Sequence, residues 1–169
     1  NISNVEEFFD SIGNKVIREN FGTVELTKSG ARATVQHGNS KAKQVAVAAV
    51  PEVIQKGKQI GYEQNWQGRG YDTYVFAAPV EIDGTKLYEG VIVREYTRQN
   101  GMKNFYVHEV CWTDGSYVTF DTEGNMTKKE DTPTQLPIAV RSTLADAQEV
   151  SSDTTIAQTS AKSKENNAA

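Results

Sequence analysis

His37 and His108 are the residues best suited to proton transfer in this chain, and they are its two histidines. An imidazole titrates near neutrality, so two of them can divide the roles of general base and general acid. His37 stands in QHGNSKAKQ, ahead of a helical stretch and close to Lys41 and Lys43. Helix N-terminal amides and two lysines suit an anionic group such as a phosphate; the plainer reading is a loop histidine beside a solvated lysine pair. His108 stands in NFYVHEVCW, where strand alternation groups it with Tyr106 and Val110 and sets Phe105, Val107 and Glu109 on the other face. If helices cover the Phe105 face, Tyr106 and His108 point to an open sheet face. If they cover the other, His108 is a core residue.

A second group of candidates lies in WQGRGYD. Arg69, Tyr71 and Asp72 follow or flank the glycines Gly68 and Gly70. Arginine binds phosphate through a bidentate fork, and Trp66 and Tyr71 are able to stack on a base. The competing reading is a glycine-flanked turn with an Arg–Asp surface pair, which contributes little. Other chemistries lack their signals. Two histidines and the single cysteine, Cys111, do not have zinc-ligand spacing, and no dense carboxylate cluster suggests magnesium or calcium, so no metal or cofactor is expected. There is no nucleophile elbow, P-loop or GxGxxG. A His108–Glu109 dyad is disfavoured, because adjacent strand residues point to opposite faces.

The elements that must position these residues read as helices first and strands after. VEEFFDSIG (5–13) is an amphipathic helix with Val5, Phe8, Phe9 and Ile12 on one stripe, capped by Ser3 or Asn4. TVELTKS, bracketed by Gly22 and Gly30, and ARATVQH suggest a small hairpin. NSKAKQVAVAAV is helical, with Ala42, Val45, Ala46, Ala49 and Val50 as its buried stripe and Asn39 or Ser40 as its cap. Pro51 either kinks that helix or starts another, which ends at Gly57. From Lys58 the period changes to two: KQIGYEQNW, YDTYVFAAPVEI, KLYEGVIVREYT and KNFYVHEVCW are strands, with Asp83-Gly84 and Asn100-Gly101 as turns. The expected fold is α+β, with N-terminal helices packed on an antiparallel β-meander of about four strands.

Composition divides the chain. All 15 aromatic residues (2 Trp, 7 Tyr, 6 Phe) lie at or before Phe120. Residues 121–169, rich in Ser, Thr, Ala, Gln and Asn, cannot bury enough apolar surface to offset the entropy of ordering. A folded domain over 1–120 and a polar linker or disordered tail over 121–169 follow, with a short helix at LADAQEV (144–150). The first 120 residues carry 14 acidic and 13 basic side chains, so the folded part is nearly neutral. No apolar run approaches the ~18 residues that span a bilayer, and no membrane partner is expected. The first residue is Asn rather than Met, which suggests a piece of a longer protein.

HGNSKAKQVAVAAVPEVIQKGKQI, WQGRGYDTYVFAAPVEIDG, YEGVIV and NFYVHEV, in that order, resemble the nuclease-like domains of the barnase–EndoU–colicin–RelE type found inside large polyvalent proteins of prophages and conjugative elements. The resemblance covers roughly residues 5–112. It implies helices on a four-stranded antiparallel sheet and metal-independent RNA cleavage by attack of the 2′-hydroxyl on phosphorus. On that resemblance His37 and His108 are acid/base candidates, Tyr106 donates to a phosphate oxygen, and Lys41, Lys43 and Arg69 hold the phosphate. It also implies RNA as substrate, an immunity protein and neighbouring domains as partners, and action in the cytoplasm of a bacterial host or recipient. One departure is that NSKAKQ has lysines where the family often has an arginine. The competing class is a non-catalytic binding module that uses Trp66, Tyr71 and Tyr106 as a recognition surface. The spatial relation of His37 and His108 separates the two.

Overall fold

The computed structural model describes residues 2–28, 41–112, 114, 116–123 and 125–129. Helix α1 (Ile2–Ser11) is followed by strands β1 (Lys15–Arg18) and β2 (Gly22–Glu25), helix α2 (Lys41–Lys56), and strands β3 (Lys58–Glu63), β4 (Tyr71–Ile82), β5 (Thr85–Tyr96), β6 (Met102–Cys111), β7 (Tyr117–Phe120) and β8 (Met126–Lys129). The expected α+β class holds. The meander β3–β4–β5–β6 is antiparallel throughout, and β2 adds to β6 in parallel, giving the order β1-β2-β6-β5-β4-β3 with the β7–β8 hairpin attached to β6. No helix among the described residues is long and apolar enough to cross a membrane.

The longest ladder is β4–β5. Asp83 and Gly84 both take positive φ (50° and 78°), the mirror-image turn whose twist matches its flanking strands. Pairing then runs without interruption from Ile82–Thr85 to Tyr71–Tyr96. Pro79 falls beyond the end of β3, which reaches only Ala77, where β4 tolerates a residue with no N–H to donate.

One sheet face carries Phe76, Ala78, Val80 and Ile82 of β4, Leu87, Val91 and Val93 of β5, and Phe105 of β6. Val5 and Phe9 of α1 and Ala46, Ala49, Val50, Val53 and Ile54 of α2 pack on it. The i, i+3, i+4 spacing of the α2 set makes one stripe facing the sheet. The helix runs through Pro51 as one element. Gly57 ends it for want of space: a Cβ there would lie 2.4 Å from the Val53 carbonyl oxygen and 3.0 Å from that of Ala77. Arg18 caps the same end, donating to the carbonyls of Ile54 (2.9 Å) and Gly57 (2.7 Å) with its guanidinium 4.2 Å from the Phe76 ring centroid. The opposite face carries a smaller apolar cluster of Val75, Ala77, Tyr88, Ile92 and Cys111. Burial on both faces is why β4 and β5 read as nearly continuous apolar runs.

Three local expectations change. α1 begins at Ile2, so Ser3 and Asn4 lie inside it rather than capping it, and it ends at Ser11, leaving Ile12 40% exposed. The segment at Gly22 is a strand only to Glu25, and its neighbours are Lys15–Arg18, to which Asn20 (φ 60°) turns the chain back, and Lys103–Asn104 of β6. ARATVQH, the caps at Asn39 and Ser40, and LADAQEV lie outside the described residues. Strand β8 lies past residue 120, where the aromatic residues stop.

Candidate functional site

The site is built on the sheet face turned away from the helices. Pairing across β4, β5 and β6 sets Thr73, Arg94 and Asn104 in one row and Tyr71, Tyr96 and Met102 in the next. Further along, the β5–β6 ladder slips: Val93 pairs with Phe105 but Ile92 with Val107, so Tyr106 is an extra residue. Such a bulge re-aims side chains. Phe105 stays on the helix side, edge-on to Phe9 at 6.0 Å. Tyr106 packs with the cluster on the other face, while His108 pairs with Val91 of the helix-side core. The expectation that Tyr106 and His108 share a face opposite Phe105 is therefore corrected, and the cause is this one inserted residue.

On the helix side, His108 Nε2 lies 3.9 Å from Glu89 Oε1, and the two side chains are 6% and 0% exposed. Glu89 sits between Leu87 and Val91 along β5, and neither of its carboxyl oxygens has a hydrogen-bond partner. Burial holds its carboxyl well above the ordinary range. A histidine enclosed in this way is part of the core.

On the other face, Arg94 is the centre. Its guanidinium carbon lies 3.4 Å from the Tyr106 ring centroid and 4.4 Å from that of Tyr71, rings supplied by the strands on either side. Trp66 lies near-parallel to Tyr71 (centroids 5.9 Å, 17°), and the Arg69 guanidinium is 5.3 Å from the Trp66 ring. These rings border a cavity of about 230 Å³, lined with Trp66, Tyr71, Thr73, Ile92, Arg94 and Tyr106, with the exposed Glu63 of β3 beside them.

The turn that carries Trp66 and Arg69 is held by Asp72. Asp72 accepts from the Asn65 backbone N–H (2.8 Å) and the Tyr62 hydroxyl (3.3 Å), and the Asn65 side chain accepts from the Gly70 N–H (2.9 Å). Asp72 therefore organises this turn, and the Arg–Asp surface pair does not form. Asn65 and Gln67 both take left-handed φ (48° and 49°) within this turn.

Among the described residues Arg94 has no ion pair and no hydrogen bond, and the buried Tyr71 hydroxyl, Thr73 Oγ1 and Asn104 Oδ1 also lack partners. Buried polar atoms are nearly always paired. Tyr71 and Thr73 line the cavity with Arg94, while Asn104 pairs with Arg94 across the β5–β6 ladder.

The structure thus gathers Trp66, Arg69, Tyr71 and Tyr106 and separates His108 from them. His37 lies outside the described residues, and Lys41 and Lys43 occupy the first turn of α2 with side chains that also lie outside them. Arg94, Thr73, Asn104 and Glu89 were not among the candidates.

Residues 3–106 match the model of a known domain, large polyvalent protein-associated domain 3. The chain belongs to this family. Large polyvalent protein-associated domain 3 is by description part of larger polypeptides, so neighbouring domains belong among its partners. No curated protein and no solved structure matches the chain.

Proposed function

We propose that this domain is a non-catalytic binding module of a large polyvalent protein, and that it engages single-stranded RNA through the cavity around Arg94. The observation that carries this reading is the unpaired Arg94 guanidinium clamped between Tyr71 and Tyr106, next to the Trp66 ring. Aromatic rings stack on bases whatever their identity, and a free guanidinium serves a phosphate. His108, 6% exposed and facing Glu89, is out of reach of a phosphate bound on the other face.

The test is fluorescence anisotropy of a labelled single-stranded RNA with the purified protein, followed by sizing of the RNA. Saturable binding, at least about fivefold weaker in Trp66→Ala and with RNA of unchanged length, is the expected result. Cleavage that persists in chelator and in Trp66→Ala but is lost in His108→Gln would establish the ribonuclease reading instead.

A further inference from the structure

We infer that the cavity takes one nucleotide bearing a phosphomonoester, at the end of a strand or free, with its phosphate on the edge of Arg94 and its base on the Trp66–Tyr71 rings. This rests on the reading that the cavity binds RNA chemistry, and it narrows that reading from a strand to a terminus.

Three observations lead there. The first is charge. With 16 acidic and 15 basic residues up to Lys129, the end of β8, the domain has no excess of cations to track a phosphate backbone. Recognition must then rest on very few charged contacts. An internal phosphodiester offers one negative charge and two free oxygens. A phosphomonoester offers three oxygens and a charge of about −1.5 to −2 at pH 7, so a single guanidinium discriminates strongly in its favour.

The second is the presentation of Arg94. With a tyrosine ring against it from each neighbouring strand, the guanidinium is left its in-plane edge, where its N–H donors lie. That edge matches two oxygens of one phosphate in a bidentate pair. The Tyr71 hydroxyl and Thr73 Oγ1, both lining the cavity without partners, can donate to further oxygens of the same group.

The third is size and polarity. About 230 Å³ accommodates one base with its phosphate and not a run of nucleotides. Glu63, on β3 at the Trp66 side, is an acceptor suited to an exocyclic amine of a base and repels a phosphate. The base therefore lies toward β3 and the phosphate toward Arg94. Tyr71 is buried beneath Trp66 and Arg94, whereas the Trp66 ring, near-parallel to it at 5.9 Å, is only half-buried and offers its outer part to that base.

The experiment follows Trp66 fluorescence in a Trp112→Phe background, so that one indole reports. Titrants are a short single-stranded RNA with a 5′-phosphate, the same RNA with a 3′-phosphate, the same RNA with both ends as hydroxyls, a nucleoside 5′-monophosphate and the nucleoside. Phosphomonoester forms are expected to bind about tenfold or more tightly than hydroxyl forms, with the preference abolished in Arg94→Gln and reduced in Arg94→Lys. A free monophosphate binding as well as a phosphorylated strand identifies the nucleotide itself as ligand; weaker binding identifies the strand end. Equal affinity for phosphorylated and hydroxyl-ended strands overturns the inference and leaves the RNA-binding reading standing. No response to any titrant overturns both.

Discussion

The Arg94 guanidinium lies 3.4 Å from the ring centroid of Tyr106, the residue at which the β5–β6 ladder slips. Without the slip, Tyr106 would be locked in register with β5 and His108 would take its side of the sheet. One inserted residue thus decides which chemistry the open face presents: a guanidinium between aromatic rings, with the imidazole turned into the core.

Glu89 predicts an unusual pH dependence of stability. Its carboxyl is fully buried, has no hydrogen bond, and is held well above its ordinary value by that burial. Between the unfolded and folded values the native state binds the extra proton. Stability is therefore fully present below the unfolded carboxyl value, near 4.3, and declines as pH rises toward the folded value, by at most about 1.4 kcal/mol per pH unit. Urea unfolding across pH 5 to 9 should show this decline in the wild type and a flatter profile in Glu89→Gln. The same slope in both proteins would assign the dependence to other groups.

Gly57 is predicted to resist even alanine. The 2.4 Å approach of a Cβ to the Val53 carbonyl is to backbone, with Ala77 backbone on the other side, so no flexible side chain can yield. Gly57→Ala should lower stability by about 1–3 kcal/mol, read as a lower denaturant midpoint with an unchanged slope. An unchanged midpoint would mean that α2 and β4 separate easily.

Arg18 is predicted to matter through geometry as well as charge. It donates to two carbonyls at the α2 C-terminus and lies on Phe76, and burial draws its pKa downward. Arg18→Ala should cost about 2 kcal/mol, and Arg18→Lys should recover less than half of it, because an ammonium on a flexible stem does not reproduce the fork. Full recovery by lysine would reduce the contact to a charge at a helix terminus.

Much of this arrangement is legible in the residues themselves. The Asp83-Gly84 turn is unambiguous, and counting outward from it pairs Thr73 with Arg94 and Tyr71 with Tyr96. The same count places Arg94 beside Tyr71, although VIVREYT reads first as an apolar strand with a charged end. The bulge at Tyr106 is different. NFYVHEV contains no glycine or proline to mark it, and strict alternation gives the wrong face for everything before Val107 or everything after it. The pairing of β2 with β6 is equally hidden, since a parallel contact between segments so distant in the chain leaves no local signal. The burial of Glu89 is hidden in the same way, because a carboxylate in a strand is expected to face water.

Salt provides a prediction about the kind of interface. With Arg94 and Arg69 as the cations beside the cavity, about two phosphates are neutralised at most, so the logarithm of the RNA association constant should fall with the logarithm of salt at a slope of about −1.4. A slope several times steeper would show that the strand runs over a different, more basic surface.

The most direct measurement is the affinity of a labelled single-stranded RNA for the wild type and for Arg94→Ala, at one salt concentration, with circular dichroism confirming that both are folded. The account predicts binding by the wild type and at least about a tenfold loss in the variant. Equal affinities in two folded proteins would contradict it and move the binding surface away from the Tyr71–Arg94–Tyr106 stack.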